Sequence, residues 1–128
     1  MSEGRHPDNL RYTNEHEWAR WDGDLVRVGI THFAQDQLGD VVYVDLPVAG
    51  AQVKRGQPFG EVESTKSVAD LFAPVSGTLE ERNEALEDRP ELVNQDPYGE
   101  GWMITIRPDD PAEFEELLTS EEYRGLIE

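Results

Sequence analysis

The stretch Phe59-Gly60-Glu61-Val62-Glu63-Ser64-Thr65-Lys66-Ser67-Val68-Ala69-Asp70-Leu71-Phe72-Ala73 holds two strand-like runs around a short polar tip. Side chains alternate faces along a strand. Ala69, Leu71 and Ala73 therefore share one face, the core side, and Val62 and Gly60 supply facing positions across the tip. Val68, Asp70 and Phe72 take the other face, and Glu61 and Glu63 point outward. Ser64, Thr65 and Ser67 are compact and can hydrogen-bond within the turn, leaving the Lys66 stem unobstructed. A lone cation on a hairpin tip, in a chain of formal net charge -17, is an amine that a modifying enzyme can reach. Its ordinary reading is a solvated turn lysine.

Working outward, residues 1–11 are polar and expected to be loose. His16 to Trp21 and Leu25 to Ile30 alternate around Asp22-Gly23-Asp24, which predicts a hairpin. Thr31 can cap a short helix over His32 to Leu38, closed by Gly39. Val41 to Leu46 reads as a strand ended by Pro47, and Gln52-Val53-Lys54 leads into a turn at Arg55 to Pro58. Thr78 to Arg82 and Trp102 to Arg107 read as strands. The loop between them, 83–101, holds one helical turn at Pro90 to Val93. Apolar positions at Phe114, Leu117, Leu118, Tyr123 and Leu126, with a break at Thr119-Ser120, predict two short amphipathic helices over about 112–127.

Strands and turns before Lys66 are loosely echoed after it. The expected fold is mainly β: a flattened barrel or sandwich of two quasi-symmetric halves joined at the Lys66 hairpin, with a few short peripheral helices. Residues 12–128 are expected to form one domain, as 128 residues suffice for a single core.

Composition narrows the function. Asp and Glu number 28 against 11 Lys and Arg, so duplex phosphates would repel this surface and nucleic acid is not an expected partner. The acidity suits a well-solvated protein, steering toward basic docking surfaces, or a high-salt interior. Cysteine is absent, which removes disulfides, thiolate nucleophiles and Cys-based zinc sites. No apolar run reaches the roughly 20 residues that span a bilayer. The start, Met1 to Asp8, carries neither a signal core nor an Arg-rich transit pattern, so the cytoplasm is the expected compartment.

Catalytic patterns are thin. Ser76, His16 and Asp40 could be drawn as a hydrolase triad, yet no G-x-S-x-G motif accompanies them. No H-x-x-x-H pair offers a metal site. His32 is expected at the surface, and Trp18, Trp21 and Trp102 in the core or as groove walls.

Glu63-Ser64-Thr65-Lys66-Ser67-Val68-Ala69-Asp70-Leu71-Phe72-Ala73-Pro74-Val75-Ser76-Gly77 resembles the lipoyl-lysine segment of the glycine cleavage system H proteins. In that family Glu-Ser-x-Lys precedes a short polar stretch, Asp, two apolar residues and Ala-Pro-x-Ser-Gly. Further matches in family order are His16-Glu17-Trp18, Val28-Gly29-Ile30-Thr31, Leu38 to Val42, and Glu91-Leu92-Val93-Asn94 through Asp96-Pro97-Tyr98-Gly99 to Gly101-Trp102. Thr65 and Ser67 stand where Val and Ala are common, and both are compact.

The resemblance implies a lipoyl-carrier domain of the biotinyl/lipoyl type, a shuttle and not an enzyme. It implies lipoic acid on Lys66, which removes a charge and adds a long arm ending in a dithiolane. The implied partners are glycine decarboxylase, which leaves an aminomethyl group on the arm, a folate-dependent aminomethyltransferase, which removes it, and dihydrolipoyl dehydrogenase. A lipoate ligase or octanoyl/lipoyl transferase would recognise Glu63, Ser64, Thr65 and Ser67. The amine on the arm is cationic, and carboxylates would hold it. Glu17 matches a family position near the arm, and outward-facing Asp70 is the second candidate. Rival readings are an H-like protein relaying lipoate to other complexes and an unmodified acidic interaction domain. A biotin carrier fits less well, because Ser-Thr-Lys-Ser replaces Met-Lys-Met.

Overall fold

The computed structural model describes residues 6–127. In chain order these form β1 (Arg11–Tyr12), β2 (Glu17–Asp22), β3 (Leu25–Ile30), α1 (His32–Leu38), β4 (Val41–Asp45), β5 (Gln52–Val53), β6 (Pro58–Ser64) and β7 (Val68–Phe72). There follow β8 (Gly77–Arg82), α2 (Ala85–Asp88), α3 (Leu92–Gln95), β9 (Ile104–Pro108), α4 (Ala112–Glu115) and α5 (Ser120–Ile127). One sheet has the order β1-β2-β3-β9-β8-β5 and the other β4-β6-β7. The fold is mainly β with a few short helices, as expected. Each sheet takes strands from both sides of Lys66, so the two sequence halves interleave instead of forming separate blocks. Among the described residues no helix is long and apolar enough to cross a membrane.

Alternation decides which side chains meet between the sheets. Val62, Leu71 and Ala73 are buried, while Glu61, Glu63, Val68 and Asp70 are exposed. From the larger sheet Val26, Val28, Leu79, Ile104 and Ile106 enter the same cluster. Each such side chain contributes about 1.5–3 kcal/mol when fully buried.

β2 breaks the alternation, because Glu17, Trp18 and Ala19 are all buried. Its second face is covered by the C-terminal α5. Tyr123 of α5 stacks on Tyr12, with ring centroids 4.7 Å apart, in a cluster that includes Trp18. Trp18 donates its indole N–H to the Pro97 carbonyl at 2.9 Å. A Cβ on Gly29 would stand 2.7 Å from that indole, so this strand position requires glycine.

The hairpin β2–β3, the capped α1 and the two C-terminal helices match their sequence expectations. Thr31 accepts from the Ala34 N–H, and Gly39 follows the helix at φ 81°. Three features differ. Of residues 1–11, expected to be loose, 1–5 lie outside the described residues, but His6 and Leu10 are buried and β1 pairs with β2. The loop 83–101 carries α2 as well as α3, with Leu86 buried. A single helical turn has too few residues to show a period, so α2 left no signal. Finally, His32 is half-buried and pairs with the Gln35 amide.

Candidate functional site

Hairpin β6–β7 presents Lys66 at its tip, exposed. The turn is closed by Ser64. Its N–H donates to the Ser67 carbonyl at 2.8 Å, and its hydroxyl accepts from the N–H groups of Lys66 and Ser67. That hydroxyl also donates to the Ser67 carbonyl. Ser64, one of the four residues expected to be read by a modifying enzyme, is thus turned inward and buried. Glu63, Thr65 and Ser67 remain exposed.

The tip rests on a platform. The Thr65 N–H donates to the Asp40 carbonyl at 3.0 Å, tying the turn to the link between α1 and β4. The Lys66 Cε lies 3.7 Å from the place of a Cβ on Gly39. Asn94 of α3 holds this link from beneath. Its oxygen accepts from the Val41 N–H, and its amide donates to the Gly39 carbonyl and to Gln35. All three groups of that amide are therefore used. Sequence reasoning placed Asn94 in a matched segment without a role, because partners 53 to 59 residues away leave no local pattern. Among the described residues Lys66 takes part in no ion pair, and its stem runs over a glycine toward solvent.

Beside the tip, between α1 and β7, lies a cleft of about 260 Å³. Ile30, Ala34, Leu38, Val62 and Leu71 make its wall apolar, and Glu17, Asp70 and Ser67 add polar groups. The structure thus brings both carboxylate candidates to one cleft. They differ sharply in setting: Asp70 is exposed, whereas Glu17 is 1% exposed. Glu17 Oε1 accepts from the Thr13 hydroxyl at 2.5 Å, and Oε2 accepts from the Phe72 N–H at 3.0 Å. Glu17 also lines a second cavity of about 360 Å³ with Thr13, Arg55, Phe72 and Glu116.

Burial pushes the Glu17 carboxyl up to about 7, against the lowering effect of the bonds from Thr13 and Phe72. Glu15 pushes it further up. Neighbouring His16, half-buried and bonded to the Tyr123 hydroxyl, is held below the usual imidazole value by desolvation.

The Glu17 shift carries a stability signature. Below the ordinary value of 4.5 both folded and unfolded chains hold the proton, and no ionisation penalty applies. As pH rises from 4.5 to about 7 the unfolded chain releases the proton and the folded one keeps it, so stability falls. Above that window the penalty is constant, about 3 kcal/mol. Relative to the wild type, Glu17→Gln should therefore gain about 3 kcal/mol between low and mildly alkaline pH in urea unfolding. A difference that stays flat with pH would refute the shift.

The hydrolase triad is not assembled. The Ser76 hydroxyl accepts from the Arg55 N–H, and the His16 ring is engaged by Tyr123.

Comparison with known proteins agrees with this geometry. The profile of the family described as Glycine cleavage H-protein matches residues 10–128. The glycine cleavage system H protein of Anaeromyxobacter sp. (strain K) is 58% identical over 122 residues, covering 95% of each chain. The probable glycine cleavage system H protein of Haloarcula marismortui is 54% identical, covering 95% of this chain and 96% of its own. The crystal structure of a glycine cleavage system H protein from Mycobacterium marinum superposes with a TM-score of 0.87 at 46% identity, covering 94% of this chain and 98% of its own.

Proposed function

Because the chain belongs to the glycine cleavage H-protein family, the lipoyl carriers of the glycine cleavage system, we propose that Lys66 bears the lipoyl group. The protein is a carrier component that works with the other components of that system and is not itself a catalyst. The observation that supports Lys66 is its placement: an exposed amine with no ion pair among the described residues, on a turn stapled from within, beside a cleft lined by the carboxylates Glu15, Glu17 and Asp70.

The residues present suit such a group. When bound, it supplies a dithiolane that accepts and yields the aminomethyl cargo. The chain's own part is presentation and shelter. Leu38, Val62 and Leu71 give the cleft a wall that excludes water. Glu17 offers the cargo's ammonium a fixed carboxylate, and Asp70 adds a second negative charge at the rim. The partners this reading implies are glycine decarboxylase, the folate-dependent aminomethyltransferase and dihydrolipoyl dehydrogenase. A lipoate ligase or octanoyl/lipoyl transferase reads the exposed Glu63, Thr65 and Ser67, while Ser64 shapes the turn it approaches.

Peptide mapping after lipoylation tests the assignment directly. Lys54 is the sole other lysine, so the modified peptide distinguishes two positions. The group is expected on Lys66, and its presence on Lys54 or on neither would overturn the reading.

The shelter has its own measurement. A charge-assisted hydrogen bond is worth about 1.5–3 kcal/mol, roughly ten- to hundredfold. Release of ammonia from the loaded protein in water should therefore rise by at least about tenfold in Glu17→Gln, and less in Asp70→Asn. Unchanged release in Glu17→Gln would remove Glu17 from the site.

A further inference from the structure

We propose that Thr13 is the positioning residue that orients Glu17 in the wall of the cleft and favours its ionised form, an inference that builds on the cleft sheltering the amine cargo. Thr13 Oγ1 lies 3.1 Å from the Glu15 N–H and 3.1 Å from the Glu17 N–H. Amide N–H groups only donate, so they occupy both lone pairs of the hydroxyl. Its single proton is then committed to Glu17 Oε1, 2.5 Å away. The Phe72 N–H is likewise committed to Oε2.

Each carboxylate oxygen thus faces a donor, and Thr13 has no lone pair left to receive a proton from Glu17. The arrangement fits the ionised side chain and leaves the protonated one mismatched. It opposes desolvation, which alone would keep Glu17 neutral.

The turn that creates this geometry is tight. The Thr13 N–H donates to the Glu17 carbonyl at 2.9 Å, and the His16 N–H donates to the Thr13 carbonyl at 3.2 Å. His16 adopts φ 75°, the sole positive φ at a non-glycine residue among those described. Other charged or titratable groups around Glu17 are Glu15 and His16 on the same turn, Asp70 on β7, Tyr123 on α5, and Arg55 with Glu116 across the second cavity. Arg55 is paired with Glu116, so among the described residues lining that cavity no free cation faces Glu17. Cationic charge for Glu17 must come from the cleft.

The test is a titration of the Glu17 carboxyl by carbon NMR in the lipoylated, unloaded full chain, with Glu17→Gln identifying the resonance. In the wild type the midpoint is expected at about 7. Thr13→Val keeps the shape and removes the donor, and should raise the midpoint by about one unit, a tenfold gain in proton affinity. Thr13→Ser keeps the hydroxyl and should restore the wild-type midpoint. A midpoint unmoved in Thr13→Val, or raised equally in Thr13→Ser, overturns the proposal.

The wild type offers a check independent of any variant's folding. The Thr13 hydroxyl proton should be visible as a slowly exchanging resonance that shifts with the Glu17 titration, and its absence would also overturn the proposal. Ammonia release from the loaded protein separates this idea from the shelter itself. If Thr13→Val moves the Glu17 midpoint while Glu17→Gln leaves release unchanged, the positioning role stands and the shelter reading falls.

Discussion

Lys66→Arg should remain at the mass of the bare chain and support no glycine cleavage above the level seen without it. The substitution keeps a cation of similar length at the tip, so it isolates chemistry from charge. A guanidinium does not lose its proton in proteins and offers no amine for acylation. The backbone of the turn is held by Ser64 and by the Thr65–Asp40 bond, neither of which uses the Lys66 side chain. Stability should therefore stay within about 0.5 kcal/mol of the wild type in urea unfolding. Intact-mass spectrometry and a reconstituted assay read the two halves of the result. A variant that still gains the lipoyl mass, or still supports cleavage, would show that the amine at the tip is not the attachment point.

Gly77→Ala should cost more than about 3 kcal/mol, the range reserved for steric conflict that cannot relax. Gly77 pairs with Pro108 on one side and Val53 on the other, inside the larger sheet. An added Cβ would lie 2.1 Å from the Arg107 carbonyl oxygen and 2.9 Å from an Ile106 methyl. The obstructing atom belongs to the backbone, so no rotamer change can clear it. Gly125→Ala is the matched control. It lies in α5 with nothing within 4 Å, and should stabilise by roughly 0.5–1 kcal/mol. Urea midpoints measure both. Near-equal midpoints would mean that β8 and β9 separate more easily than their register implies.

Legibility in the sequence followed the range of the interactions. The β6–β7 hairpin was readable because its period of two spans the whole element, from Val62 through Leu71. α1 was readable because Thr31 and Gly39 cap it locally. β1 was not, since a two-residue strand has no period and gains its place from α5 packing on Tyr12. At the site, the exposure of Lys66 and Asp70 came from alternation alone. The setting of Glu17 did not. Its partner Phe72 lies 55 residues away, and its burial depends on strands meeting across the core. The inward turn of Ser64 continues the alternation of Val62, since Ser64 is the last residue of β6. The family resemblance reached Glu17 where local physics could not, but said nothing of how it is held.

The anchoring of the hairpin tip to Asp40, whose neighbours Gly39 and Val41 are braced by Asn94, has a kinetic consequence. A tether with a fixed root keeps its free end inside a small volume around the neighbouring cleft. For a short flexible tether the effective concentration is on the order of millimolar. A cleft with a dissociation constant of that order would then hold the cargo about half the time. Such a weak hold suits a shuttle: strong enough to slow hydrolysis between encounters, yet lost without a large barrier when an enzyme offers a better seat. Loosening the root, for instance by Asn94→Ala, would dilute the free end and weaken retention without touching any group that contacts it.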